Sequence, residues 1–188
     1  KVKLVRNILA HHRIVGISEL HGVSTAEADS YFFNHLKCEK YYDSSVNLVI
    51  LVDPAFAEEH KPIRHHAIHT GAVHAISFMW DGHKTFFYNI YLDASSDSSI
   101  KEQQLQAATS WTERNVARGD ICFFGGDRNH TRDPSESMTY HGEPGDGATV
   151  RAWAARRPQF TVIEAWDNWM AAMHGGYIVD QEEFTFKR

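Results

Sequence analysis

Cysteine is nearly absent from this chain. Only Cys38 and Cys122 occur in its 188 residues, both in apolar segments. That excludes a disulfide-stapled scaffold and reads as two buried thiols in a reducing, intracellular setting. No apolar run is long enough to span a bilayer, and no signal-like hydrophobic stretch opens the sequence. Positive charge is not in excess: the formal net charge is -5. This argues against a surface that coats nucleic acid generally, while leaving room for an enzyme that touches it locally through a few basic residues and a metal. There is no internal repeat and no low-complexity tract. What is present is ordinary for one globular domain with a sizeable core: 43% hydrophobic, 12% aromatic and 23% charged residues. The sequence starts at Lys1 and stops just after Phe184-Thr185-Phe186-Lys187-Arg188. The expectation is that residues 1–188 are a single, incomplete domain cut from a longer protein.

Periodicity places the elements. Val2, Val5, Ile8 and Leu9 repeat at helical spacing, so a helix is expected over about 1–11. A strand at 14–19 follows, ending in Glu19. Ser24-Thr25-Ala26-Glu27 is a capping box opening a helix to about Lys37, with Phe32, Phe33 and Leu36 inward. Val46–Val52 reads as a strand stopped by Asp53-Pro54. Asp81-Gly82 joins runs 73–80 and 85–92 as a hairpin. A second capping box, Ser99-Ile100-Lys101-Glu102, starts a helix to about Val116, and a strand at 121–126 comes next. Pro134, Gly142, Pro144, Gly145 and Gly147 mark 131–149 as a long exposed loop. Phe160–His174 is a helix ended by Gly175-Gly176. Interleaved helices and strands, broken by one hairpin, predict a layered α/β fold with mixed sheets.

The chemistry concentrates at strand ends. Phe124-Gly125-Gly126-Asp127-Arg128-Asn129-His130 is a buried strand that delivers charge to a sheet edge. Its glycines let the backbone pass close to other groups. Asp127 and Asn129 point to one side of an extended chain, where carboxylate and amide can hold a water and a phosphate oxygen. An Asx-rich turn after a strand would give the same letters. Ile14-Val15-Gly16-Ile17-Ser18-Glu19 is a second buried strand ending in a carboxylate, which suits either a surface residue or a metal ligand. The strand ending Asn89-Ile90-Tyr91-Leu92-Asp93 could lie alongside the Gly-Asp segment.

Taken in order, Ile17-Ser18-Glu19-Leu20-His21, Asn89-Ile90-Tyr91-Leu92 and Gly126-Asp127-Arg128-Asn129 resemble the endonuclease/exonuclease/phosphatase superfamily, the DNase-I-like fold. Within it the chain looks most similar to the apurinic-type endonucleases of LINE-type retrotransposons. The resemblance implies a four-layer α/β sandwich, two packed mixed sheets flanked by helices, here truncated. It implies that Glu19 binds the metal and that Tyr91 reaches the scissile phosphate. Asp127 would orient or deprotonate the attacking water, and Asn129 would hydrogen-bond the phosphate or nucleophile. Asn89 would be a supporting residue at most. A hard oxygen ligand favours Mg²⁺ or Mn²⁺. The implied partner is nucleic acid, DNA before RNA, with no membrane and no predicted protein partner. A retroelement nuclease would work in the nucleus.

The chain departs from that pattern. Ser18 stands where the family has glutamine, and Arg128 where it has an apolar aromatic. A cation beside Asp127 could pair with it and weaken it as a base, or contact phosphate. The family's first-strand asparagine and terminal Asp-His pair are not found in these residues, so the 188 residues alone are expected to be largely inactive, with an open sheet edge. Three functions are therefore carried forward: a Mg²⁺-dependent DNA endonuclease; a phosphoesterase acting on RNA or a small phosphate ester; and a degenerate domain that keeps the fold only for binding. Of the thirteen histidines, His65 and His69 are four apart, with His66 and His74 near. They are expected to be solvated or polar-core residues entering a strand, not a zinc site. Arg151, Arg156 and Arg157 read as a solvated cluster beside the long loop.

Overall fold

The computed structural model describes residues 2–20, 24–31, 33–92, 98–127 and 158–174. The elements are α1 (Val2–Leu9), β1 (Ile14–Ile17), α2 (Thr25–Tyr31), a 3-10 turn (Phe33–His35), β2 (Glu39–Tyr42), β3 (Val49–Val52), α3 (Pro54–Glu59), β4 (Arg64–His69), β5 (Val73–Trp80), β6 (His83–Tyr91), α4 (Ser98–Asn115), β7 (Ile121–Asp127) and α5 (Pro158–Ala172). One sheet has the order β1-β3-β2 and is antiparallel throughout. The other has the order β4-β5-β6-β7, antiparallel until β7, which joins β6 in parallel.

Strand alternation sorts side chains into four layers. On β5 and β6, Val73, Ala75, Phe86, Tyr88 and Ile90 pack with Leu105 and Ala108 of α4 and Trp166 and Trp169 of α5. The intervening residues Ile76, Phe78 and Phe87 turn the other way and meet Ile50 and Val52 of β3 between the sheets. The far side of β3, Val49 and Leu51, packs on Val5 of α1 and Ala28 of α2. All four β3 residues are therefore buried, which explains an unbroken Val-Ile-Leu-Val run rather than an alternating one. The expected α/β architecture, two packed sheets between helices, is the observed one.

Local chemistry accounts for most boundaries. Asp81 and Gly82 have φ of 50° and 78°, the left-handed pair a two-residue hairpin needs, and Trp80 faces His83 across it. The first capping box is made: Glu27 N donates to Ser24 Oγ at 3.3 Å, and Ser24 N to Glu27 Oε2 at 3.0 Å.

Several expectations need correction. The helix expected to reach Lys37 gives way to the 3-10 turn after Tyr31. The strand expected from Val46 begins at Val49, because Val46 sits at φ 54° in a turn whose amide donates to Asp43 O. Asp53-Pro54 ends β3 as expected but also starts a helix: Asp53 accepts from Phe56 N at 3.0 Å, with proline in the first turn. α4 begins at Ser98, one residue before the serine expected to cap it. β2 and β4 were not anticipated. Both are sheet-edge strands of mixed polarity, whose pattern signals neither period clearly. The loop expected at 131–149 lies outside the described residues.

Candidate functional site

β6 and β7 run parallel, and their C-terminal ends finish level. Tyr91 is the register partner of Asp127, and Leu92 N donates to Asp127 O at 2.9 Å. The close fit needs Gly126. Its φ is 124°, and a Cβ there would collide with the Ile90 carbonyl. Gly125 has open space where its side chain would be, so only the second glycine of the pair is required by packing.

β1 reaches the same rim from the other sheet, where it contacts both β6 and β7. Its link to β6 is Asn89, a buried polar residue between Tyr88 and Ile90 of the strand. The Asn89 amide donates to Ile17 O at 2.9 Å and to Val49 O at 3.1 Å, tying β6 to β1 and β3. Ile17 precedes Glu19 by two residues, and Asn89 precedes Tyr91 by two. Glu19 itself follows the end of β1 at φ 63°, a left-handed conformation uncommon outside glycine. The gradient of exposure runs outward: Tyr91 is buried, Asp127 half-buried and Glu19 exposed. Thus Tyr91 and Asp127 are brought together as register partners, and Glu19 follows β1 two residues past the Ile17 carbonyl that Asn89 holds. Asn129 and Arg128 lie outside the described residues.

Among the described residues, no group of three or more histidine, cysteine, aspartate or glutamate side chains is arranged to hold a metal ion. The donor chemistry at the rim fits a sparsely held ion. Mg²⁺ keeps several waters and takes one or two carboxylates plus substrate oxygens, and Glu19 is one exposed carboxylate. It does not fit zinc, which takes a closed set of nitrogen and sulfur ligands. Both cysteines are free and half-buried, and burial, then Asp120, pushes the Cys122 thiol up to about 11.

The histidines are strand residues rather than a helical pair, with His66 turned toward Trp111 of α4. His65 and His66 lie on β4 and His74 on β5. His74 is fully buried, and its Nε2 lies 3.0 Å from Asp43 Oδ2, while its Nδ1 lies 3.4 Å from His65 Nε2. Burial pushes Asp43 up, but the Ser45 hydroxyl and amide and His74 together hold it below the usual carboxylate range. An ionised Asp43 can only accept, so His74 Nε2–H donates, and its Nδ1 accepts from His65. Burial lowers both imidazoles, His65 to about 4. Asp43 was not singled out by sequence reasoning, and His74 entered it only as a neighbour of His65, His66 and His69. The available signal was a polar residue inside an apolar strand, Val73-His74-Ala75-Ile76.

The fold is the DNase-I-like α/β sandwich. The endonuclease domain of TRAS1, a telomere-specific non-LTR retrotransposon, superposes with a TM-score of 0.51 at 13% identity, over 86% of this chain and 62% of that one. Beta toxin from Staphylococcus aureus gives 0.47 at 10% identity, over 88% and 60% of the two chains, and SmcL gives 0.47 at 10%, over 89% and 60%. This chain thus spans about three-fifths of the length of these structures, covering 62%, 60% and 60% of them. No family model matches the sequence, and no curated protein does.

Proposed function

We propose that this chain carries the site of a divalent-metal-dependent phosphodiesterase, a DNA-nicking endonuclease of the kind attached to retroelements. The observation that carries the reading is the level finish of β6 and β7 at Tyr91 and Asp127, with the end of β1 held to β6 through Asn89. The Asn89 bond to Ile17 and the Tyr91–Asp127 register support the reading, since they link the ends of β1, β6 and β7.

The roles follow from residue chemistry. Asp127, half-buried and a hydrogen-bond acceptor when ionised, holds the attacking water and takes its proton. The Tyr91 hydroxyl and the Asn129 amide donate to phosphate oxygens as negative charge builds. Glu19 holds Mg²⁺ or Mn²⁺, which when bound stabilises charge on the phosphate and the leaving oxygen. Gly126 lets Asp127 approach Tyr91 without a side chain between strands. DNA is the first substrate, contacted locally because the overall charge is negative. A retroelement nuclease would carry out this reaction in the nucleus.

The test is nicking of supercoiled plasmid by the protein that bears this domain, with Mg²⁺ and with EDTA. Asp127→Ala should lower the rate by about 10²–10⁴-fold while the fold is kept. Undiminished cleavage in that variant removes Asp127 from the mechanism. Parallel arms with single-stranded RNA and with a small phosphate diester decide the substrate class, and inactivity in every arm favours a binding domain that has lost catalysis.

A further inference from the structure

Behind the rim, one peptide is gripped from both sides. Gly71, in the turn between β4 and β5, donates its amide to Asp43 Oδ2 at 3.1 Å and accepts from Asn47 Nδ2 at 2.7 Å. Its φ is 69°, and a Cβ would sit 3.1 Å from Ser45 Oγ, so the turn and the 43–47 loop interlock. Asp43 is itself fixed from three directions: it accepts from Ser45 N at 2.9 Å, from Ser45 Oγ at 2.5 Å and from buried His74 at 3.0 Å. The Oδ1 of Asn47 is buried without a partner among the described residues, so the amide serves as a donor.

Both gripped segments lead directly to site residues. The residue after Gly71 is Ala72, whose carbonyl accepts from Tyr91 N at 2.8 Å. The Asn47 carbonyl accepts from Leu20 N, the residue after Glu19, in a longer contact of 3.5 Å. A continuous path therefore runs from Glu19 through Leu20, Asn47, Gly71 and Ala72 to Tyr91. It crosses between the sheets at a second place, beside the Asn89 link from β6 to Ile17 and Val49.

We propose that Asp43 and Asn47 are positioning residues that set the separation of Glu19 from Tyr91 by clamping the Gly71 peptide. The catalytic part of this inference rests on the phosphodiesterase reading; the clamp itself does not. Neither side chain touches the reacting atoms. Their effect is to hold a carboxylate and a phenol, carried on different sheets, at one spacing. Misplacement of reacting groups by an ångström costs about 10²-fold in rate, so a loosened clamp is expected to act on turnover rather than on substrate capture.

The experiment uses Asp43→Asn and Asn47→Ala in the protein that bears this domain. Thr112→Val, in the core between β6 and α5 and away from the 43–47 loop, serves as a destabilised control. Two readouts are taken: kcat and KM for Mg²⁺-dependent phosphodiester cleavage, and amide hydrogen exchange. Both clamp variants should lower kcat about tenfold or more with KM within about twofold. They should also speed exchange at the Leu20 and Tyr91 amides about tenfold beyond the control at matched stability. Exchange at those two amides no faster than in the control overturns the clamp, whatever the activity. Quickened exchange with unchanged kcat overturns its catalytic role. A parent protein that cleaves no phosphodiester defeats the functional reading alone, and the exchange arm still decides the clamp. Asn47→Ala removes a neutral amide and serves if Asp43→Asn does not fold.

Discussion

Asn89 occupies the space that a side chain on Gly16 would need: a Cβ built on Gly16 would lie 2.8 Å from Asn89 Oδ1. The asparagine cannot swing aside, because its amide is committed to the Ile17 and Val49 carbonyls. Gly16→Ala is therefore expected to cost about 1–3 kcal/mol by overpacking. Asn89→Leu should cost at least as much, since it strands two buried carbonyls. Urea unfolding of both variants checks this; a loss under about 0.5 kcal/mol for Asn89→Leu would show that water replaces the amide.

The two glycines before Asp127 should behave differently. Gly126 combines φ 124° with a collision against the Ile90 carbonyl, whereas Gly125 has free space around it. Gly126→Ala is expected to destabilise by about 3 kcal/mol or more, and Gly125→Ala by no more than about 1 kcal/mol. Equal effects, measured as shifts in the denaturant midpoint, would mean that β7 does not pass so close to β6.

Thr112 is the polar hinge of the helix-facing core. Fully buried on α4, its hydroxyl oxygen accepts from Trp169 Nε1 at 2.9 Å and lies 3.2 Å from the Tyr88 hydroxyl. Thr112→Val leaves both aromatic donors unpaired and should cost about 2–3 kcal/mol. Tyr88→Phe removes only the phenol hydroxyl and leaves the Thr112 oxygen paired with Trp169, so it should cost about 1 kcal/mol. Thermal melts of the two variants, and of the pair combined, measure the coupling.

Stability should fall as the solution is acidified below about neutrality. Half-buried His65 and buried His74 titrate lower in the folded state than in the unfolded chain, His65 at about 4 instead of 6.5. Between those values the unfolded state binds more protons, so the free energy of unfolding rises with pH across that window. Asp43, held below its usual range, adds a further loss in more acidic solution as it protonates. His65→Gln should flatten the dependence between pH 6.5 and 4. An unchanged slope in denaturant titrations would show that His65 is solvated and titrates normally.

Much of the framework under the candidate site was legible because the residues proposed for it lie at strand ends, where local patterns are strong. Gly126-Asp127 follows an apolar run, Asp81-Gly82 dictates the hairpin, and Asn89-Ile90-Tyr91 closes a nine-residue strand. Residue type and local spacing thus marked β1, β3, β5, β6 and β7 and the polar groups at their ends. Strands β2 and β4 were illegible for a physical reason: Glu39-Lys40-Tyr41-Tyr42 and Arg64-His65-His66-Ala67 mix charged, polar and half-buried positions, so neither period stands out. Partnership across the molecule was decided by tertiary structure alone. That Tyr91 finishes level with Asp127 depends on β7 adding in parallel to β6. That a buried asparagine joins two sheets, and that Asp43 and His74 meet across 31 positions of sequence, depends on how the layers stack. Hydrogen-bond partners of buried polar groups are chosen by packing geometry, and no local pattern in the chain encodes which distant carbonyl or carboxylate will be nearest once the apolar faces close.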